Sequence, residues 1–210
     1  DALGPERAAE LEIVTADGAE WIRTVVARRA PKAEICLDTF HVVSWVTNAV
    51  DEVRRQLWRH LAGSGKAKAV KGMRWLLIRN WANLTRNQKR AIRDLETDNR
   101  RLFRAWQLKE ELIDIFSLPI IAARRALDDW LHYASRSRLE PFVRLARTIR
   151  HYRASIEATI EWGFTNGIAE ANSVIGRIRR NANGFHNPKS FITMIMLDRG
   201  GLTPDLPWTP

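Results

Sequence analysis

The sequence Leu11-Glu-Ile-Val-Thr15, followed after a helical segment by Ala33-Glu-Ile-Cys-Leu37, decides the fold class of this chain. Each run is short and rich in apolar or β-branched residues, which predicts a strand. Between the two runs, residues 18–29 predict a helix that ends before Pro31. One stripe of this helix contains the apolar residues Trp21, Ile22, Val25 and Val26. We therefore predict a βαβ unit in which the two strands are parallel and the crossover is right-handed.

An aspartate follows each predicted strand, Asp17 after the first and Asp38 after the second. Because ligands bind at the carboxyl ends of the strands in open parallel sheets, both aspartates are expected at one edge. Asp is also a favoured N-cap, so each side chain can instead cap the helix that follows it. No glycine-rich phosphate loop follows either strand, which argues against a dinucleotide-binding fold.

From His41 to about Ile160 the sequence predicts helices and contains no convincing strand. Thr85 and Gln88 have the spacing of a capping box. The apolar residues that follow indicate one long helix or two in tandem, ending at Leu118-Pro119. Pro141 suits the first turn of a further helix, whose apolar face contains Phe142, Leu145, Ile149, Tyr152 and Ile156.

The stretch from Thr165 to Arg180 predicts an amphipathic helix with cap residues at its start. Glu170 lies within the first two turns, where the helix dipole favours a carboxylate. Taken alone, this spacing favours a solvated glutamate over a functional one. Pro188 starts a last predicted helix, which runs to about Arg199. Its inward-facing residues are expected to be Phe191, Ile192, Ile195 and Met196.

The net charge of +10 indicates a polyanionic partner, with nucleic acid as the default. The charge is uneven, since residues 1–40 have a net charge of −3 and the remainder +13. One predicted helix face has Glu157 as its only nearby acid and carries Arg144, Arg147, Arg150 and Arg153. That face is either a phosphate-contact surface or a plain solvated face.

The remaining composition excludes several classes of protein. A single cysteine, Cys36, rules out an internal disulfide framework and suits a reducing cytoplasm. No apolar run reaches membrane-spanning length. There is no cysteine and histidine cluster with zinc spacing and no serine nucleophile elbow. Carboxylates from distant points remain, namely Asp17, Glu170 and, as a third candidate, Asp38; such a set can bind divalent ions for phosphodiester chemistry.

Five segments resemble the ISL-three family of DDE transposases, which belong to bacterial insertion sequences. Two of them surround the predicted strands, Val14 to Ile22 and Ala33 to Val43. The others follow in the family's order: Asn83-Leu-Thr85 with Gln88, Thr165 to Asn172, and Gly184 to Pro188. Each segment alone is weakly specific, but the ordered set is specific and covers almost the whole chain.

The resemblance implies a mainly α fold with a small α/β part, in which a partial ribonuclease-H-like core is interrupted by a large all-helical insertion. Residues 1–41 are then the partial core and residues 42–160 the insertion. Residues 161–199 return to the core with the final acid, and residues 200–210 form a loose tail.

The resemblance also implies roles for individual residues. Asp17 matches the second catalytic aspartate and Glu170 the final glutamate, both as ligands of Mg²⁺ or Mn²⁺. Asp38 and His41 match a supporting acid-x-x-His pair, although Asp38 remains an alternative for the second acid. Contacts with DNA phosphates are expected from Arg177, Arg179 and Arg180, in addition to Arg144, Arg147 and Arg150.

Family members carry their first catalytic aspartate well upstream, so this chain is expected to be the C-terminal portion of a transposase and inactive alone. The complete enzyme is expected to cleave transposon ends and to transfer the strands into target DNA in a metal-dependent reaction. It is expected to be cytoplasmic and homo-oligomeric and to have no membrane partner. The alternative from another class is a non-catalytic helical protein that binds DNA or a partner and uses its acids only as caps.

Overall fold

The structure, a computed structural model, describes residues 4–163, 178, 182 and 187–199. The chain divides into two compact units, residues 1–164 and residues 165–210. The described part is mostly helical and contains one small sheet. None of its helices combines the length and the apolar character that a membrane span requires.

In the first unit the structure describes the strands β1 (Ile13–Ala16) and β2 (Glu34–Leu37) and a 3₁₀ turn at Trp81–Asn83. Its described helices are α1 (Gly4–Ala9), α2 (Glu20–Arg29), α3 (Thr39–His60), α4 (Lys66–Gly72), α5 (Arg74–Ile78), α6 (Arg86–Asp98), α7 (Arg100–Ile115), α8 (Ile120–Arg136), α9 (Glu140–His151) and α10 (Arg153–Glu161). In the second unit the structure describes the helix α11 (Pro188–Arg199).

The βαβ unit forms as its strand patterns predict. The strands β1 and β2 are parallel, and their register pairs Ile13 with Glu34 and Ala16 with Leu37. The sheet is covered on one side by α10, where the Thr159 hydroxyl donates a 2.8 Å hydrogen bond to the carbonyl oxygen of Leu37. The buried thiol of Cys36 lies under this contact, and burial raises its pKa.

The longest helix, α3, joins the sheet to the helical body. It begins directly after β2, and its side chains Val42, Val46, Val50 and Val53 are each at most 2% exposed. This three-and-four spacing buries a continuous stripe in the main core. The helix passes through residues 41 and 42 without interruption and so connects the sheet directly to the helical body.

Helix ends in the body follow local sequence signals. The capping box at Thr85 is formed, with Thr85 N–H donating to Gln88 Oε1 at 2.9 Å and Gln88 N–H donating to Thr85 Oγ1 at 3.4 Å. Two helices in tandem, α6 and α7, follow it. They are separated at Asn99, whose side chain accepts the Leu102 N–H at 2.9 Å and caps α7.

The expected continuous helix from Pro141 past Ile156 is instead two helices, α9 and α10, which are separated at Tyr152. Pro141 lies in the first turn of α9, as its sequence position predicts. The ring of Tyr152 packs against Trp45 at a centroid distance of 5.3 Å. A tertiary contact therefore coincides with the break that periodicity alone did not reveal.

Two predicted apolar faces are less buried than expected. In α2 only Val26 is buried, whereas Trp21 is 69% exposed and Val25 is 41% exposed. In α11 the predicted inward residues Ile192 and Met196 are 58% and 51% exposed. The expectation that Ile192 and Met196 face inward is therefore wrong, and the predicted stripe of α2 is largely uncovered, because periodicity identifies an apolar face but does not supply the surface that covers it.

Candidate functional site

Two aspartates lie at the carboxyl edge of the parallel sheet. Asp17 follows the last residue of β1 and Asp38 follows the last residue of β2. The strand register brings these positions level, and the Asp38 N–H continues the ladder by donating to Ala16 O at 2.9 Å. The edge thus gathers two carboxylates from points that are distant in the sequence.

Asp17 is held by the turn that follows it. Its exposed carboxylate accepts the Ala19 N–H at 3.2 Å, while Gly18 adopts a left-handed φ of 74°. A Cβ at Gly18 would lie 3.1 Å from the Leu37 Cδ1, so glycine suits both the conformation and the space. The backbone at residue 18 therefore positions Asp17 beside the end of β2.

Asp38 acts as the N-cap of α3, because its carboxylate accepts the Phe40 N–H at 2.9 Å. His41, in the first turn, is half-buried and lies edge-on against Trp45 at 5.9 Å between ring centroids. The backbone N–H of His41 donates to Asp38 O at 2.9 Å. The capping alternative is therefore realised at Asp38, and one of its oxygens is engaged in it.

A second layer of side chains braces this edge. Tyr152 donates a 2.6 Å hydrogen bond from its hydroxyl to Gly18 O, and its ring packs on Trp45. Arg23 of α2 lies over the Tyr152 ring at 5.5 Å, and its Nη1 is 3.0 Å from His151 Nε2. The turn after Asp17 is thus tied to the junction of α9 and α10. The sequence offered no signal for this role of Tyr152 beyond its place on an apolar face.

The arginine face of α9 is more compensated than its sequence indicates. Arg144 binds the Glu52 carboxylate of α3 through two hydrogen bonds of 2.7 and 2.8 Å, and this partner raises the pKa of Arg144. Arg150 donates to Ser135 Oγ at 3.4 Å. Arg153 pairs with Asp128 and Glu157.

The expectation of a face with Glu157 as its only nearby acid is therefore wrong, because α3 and α8 supply further carboxylates. Arg147 is exposed and makes no ion pair within the described part of the chain.

Comparisons with known proteins identify the family. A family model described as Transposase, of the ISL-three DDE group, matches residues 1–195. The chain belongs to the ISL-three family of DDE transposases. No solved structure matches it.

Two curated relatives are similar to this member of the family. A transposase for insertion sequence element IS1557 from Mycobacterium tuberculosis is 37% identical over 230 residues, which cover 99% of this chain and 52% of the relative. A transposase for insertion sequence element IS1001 from Bordetella parapertussis is 29% identical over 199 residues, which cover 93% and 49%. The chain thus spans about half the length of the curated relatives it matches.

The transposase residues expected at the site are only partly within the described region. Asp17, Asp38 and His41 lie at or next to the sheet edge, as set out above. Four further expected residues lie outside the described residues: Glu170, Arg177, Arg179 and Arg180. Apart from residue 178, the predicted helix from Thr165 to Arg180 also falls there, as does the tail from residue 200.

The donor set at the edge suits a hard divalent ion in kind but not in number. Carboxylate oxygens are the ligands that Mg²⁺ prefers. Asp17 and Asp38 each use one oxygen on a backbone N–H, at 3.2 and 2.9 Å. Among residues 4–163 and 187–199, however, no three His, Cys, Asp or Glu side chains are grouped to hold a metal. In the described part of the chain the edge therefore offers two carboxylates of the kind that Mg²⁺ binds, without a third ligand beside them.

A buried lysine was missed by the sequence analysis. Lys109 in α7 is fully buried, donates a 2.7 Å hydrogen bond to Arg79 O and pairs with Glu110. Burial lowers the pKa of Lys109, and the Glu110 carboxylate opposes this effect. Glu110 also accepts the Trp81 N–H at 3.2 Å. The pair thus satisfies backbone groups at residues 79 and 81 and stabilises the helical body.

Proposed function

We propose that this chain forms the C-terminal part of the catalytic region of an insertion-sequence transposase, which cuts transposon ends and joins the 3′-hydroxyl to target DNA. The observation that supports the proposal most is the β1–β2 register, which brings Asp17 level with Asp38 in a chain of this family. In the proposal the βαβ unit of residues 1–41 is part of a ribonuclease-H-like core. Residues 42–160 are a helical insertion, and residues 161–199 return to the core.

The proposal assigns Mg²⁺ or Mn²⁺ binding to Asp17 and Glu170, together with a further aspartate of the full-length protein. A divalent ion bound there would activate the attacking hydroxyl and stabilise charge on the phosphodiester. In the proposal, Asp38 and His41 help to orient the carboxylate edge of the sheet. Asp38 also caps α3, because its carboxylate accepts the Phe40 N–H at 2.9 Å. Because three carboxylates are required, we expect cleavage from the full-length homo-oligomer and none from residues 1–210 alone.

The proposal assigns the binding of DNA phosphates to two groups of arginines. One group, Arg177, Arg179 and Arg180, follows Glu170 in the sequence and is expected close to the reacting strand. The other group lies on α9 and consists of Arg144, Arg147 and Arg150. Within this second group Arg147 has the most available guanidinium, since Arg144 is held by Glu52 and Arg150 contacts Ser135.

The experiment that tests this proposal compares Asp17→Asn, Asp38→Asn and Glu170→Gln in a full-length relative, with strand transfer and DNA binding as readouts. Asparagine caps helices about as well as aspartate, so Asp38→Asn removes the charge and retains the cap of α3. We expect Asp17→Asn and Glu170→Gln to abolish strand transfer while DNA binding survives. Asp129→Asn is the matched control, since Asp129 is an exposed carboxylate of α8 without an ion pair in the described region.

A second candidate function has an observation in its favour, because both edge aspartates accept a backbone N–H two residues later. A non-catalytic DNA-binding protein would need these carboxylates only for such contacts. Its DNA binding would then be unchanged when Asp17 and Glu170 are replaced by their amides, and strand transfer would not depend on either residue. Retained strand transfer in those variants contradicts the catalytic assignment.

A further inference from the structure

The excess positive charge of the chain is concentrated in residues 53–93. This stretch contains twelve Lys and Arg residues and no Asp or Glu, whereas the whole chain has a net charge of +10. The rest of the chain is therefore slightly acidic. A segregation this strong is unlike the mixed surface of an ordinary soluble domain. All of residues 53–93 lie within the described region.

The elements of the segment pack against one another. It contains the C-terminal part of α3, the short helices α4 and α5, the 3₁₀ turn and the first half of α6. Helices α4 and α5 both pack on α3, and α5 packs on α6. Arg54 links α3 to α4, since its Nη1 donates a hydrogen bond to the carbonyl oxygen of Lys71 at 3.4 Å.

Some of these cations are used inside the fold. The Asp51 carboxylate forms ion pairs with three of them, at N···O distances of 2.8 Å to Arg54, 3.2 Å to Arg55 and 3.7 Å to Arg74. The side chain of Asp51 is only 15% exposed, so this acid stabilises the base of the surface and is not free to neutralise its exterior.

Indole rings hold further cations in place. Lys71 lies 5.6 Å from the Trp58 ring, while Lys89 and Arg93 lie 5.1 and 5.6 Å from the Trp81 ring. A cation over an aromatic face loses rotamer freedom but keeps its charge. These three cations thus contribute positive charge at partly fixed positions within the segment.

Six cations of the segment remain without an internal acid. They are exposed and make no ion pair within the described part of the chain: Arg59, Lys66, Lys68, Arg79, Arg86 and Arg90. Arg86 and Arg90 are four residues apart on α6, and like charges at that spacing destabilise a helix. Asp94 lies one turn after Arg90 on the same helix, but it makes no ion pair with Arg90 in the described part of the chain.

We propose that these six residues, here called the α4–α6 basic surface, bind the phosphates of duplex DNA independently of base sequence. The inference rests on the proposed function only in taking DNA as the partner. Several separate helices contribute cations, and this arrangement matches phosphates repeated along a duplex better than a single compact anion. Counterion release from such contacts makes affinity fall steeply with salt.

The test measures binding of the 210-residue chain to a labelled duplex of random sequence by fluorescence anisotropy at several salt concentrations. The test variant combines Lys66→Gln, Lys68→Gln and Arg90→Gln. The control variant removes the same charge elsewhere, through Arg7→Gln, Arg28→Gln and Arg125→Gln. These three control arginines are exposed and have no ion pair in the described region. Equal thermal unfolding midpoints establish that both variants fold.

We expect the slope of log affinity against log salt to become shallower by about 3 in the test variant and to stay near the wild-type value in the control. Equal slopes in the two variants overturn the inference, as does a wild-type chain that fails to bind the duplex. Either failure is separable from the proposed function, because the requirement for Glu170 in strand transfer is measured in a full-length relative and does not involve the α4–α6 basic surface.

Discussion

The phenolic hydroxyl of Tyr152 donates a 2.6 Å hydrogen bond to the carbonyl oxygen of Gly18, a residue 134 positions earlier in the chain. This bond joins the α9–α10 junction to the turn that follows Asp17. The Tyr152 ring also contacts Trp45, which in turn lies against His41. A change at Tyr152 is therefore transmitted to the sheet edge without contact with either aspartate.

Tyr152→Phe keeps the ring and deletes this hydrogen bond. We expect the free energy of unfolding to fall by about 1 kcal/mol, because the partly buried carbonyl of Gly18 loses its donor. Urea denaturation measures the change. Tyr133→Phe is the matched control, since Tyr133 is 65% exposed and should change stability little. Equal stability of the wild type and Tyr152→Phe would show that water replaces the hydroxyl at no cost.

Asp38→Ala and Asp38→Asn separate helix capping from charge. Alanine cannot accept the Phe40 N–H, so we expect a loss of about 1 kcal/mol. For a chain of this size that loss lowers the unfolding midpoint by about 2–4 °C. Asparagine retains the cap and should unfold near the wild-type temperature. If Asn is as destabilising as Ala, the carboxylate stabilises α3 through its charge and not through the hydrogen bond.

Lys109→Met leaves the Glu110 carboxylate without its buried partner. Removing one member of a buried pair costs about 3 kcal/mol or more, so we expect a large loss of stability in chemical denaturation. Adding Glu110→Gln should recover part of it, because a neutral amide can still accept the Trp81 N–H. A double mutant that is less stable than Lys109→Met would contradict this account.

The same lysine makes stability depend on pH. Burial lowers the pKa of Lys109 in the folded chain, while the unfolded value is about 10.4. Between these two values the unfolded state binds more protons, so this group makes stability rise with pH. We therefore expect the wild type to gain stability relative to Lys109→Met as the pH approaches about 10. A constant difference across that range would indicate a lysine that titrates normally.

Local signals in the sequence predicted much of the fold. The β-branched runs located β1 and β2, Pro141 located the start of α9, and the spacing of Thr85 and Gln88 predicted a capping box that the structure contains. Such signals act between neighbouring residues, so they are visible without knowledge of tertiary contacts. The edge position of Asp17 and Asp38 followed in the same way, from two strands and one helix.

Features that depend on distant residues could not be predicted. The pairing of Arg144 with Glu52 joins residues 92 positions apart. The burial of Lys109 depends on Arg79 O, which lies 30 positions away. The exposure of Trp21 reflects the lack of a covering surface in the described region, which no periodicity reveals. For the candidate site, the role of Glu170 remains a prediction, since that residue lies outside the described part.

The helical body leaves and rejoins the sheet at one strand. Asp38 alone separates β2 from α3, and Thr159 of α10 donates a hydrogen bond to Leu37, the last residue of that strand. Tyr152 adds a second attachment through its hydrogen bond to Gly18, in the turn after β1. The helical body is therefore fixed to the βαβ unit at more than one point around the carboxylate edge. DNA bound on the α4–α6 basic surface would be held in one position relative to that edge.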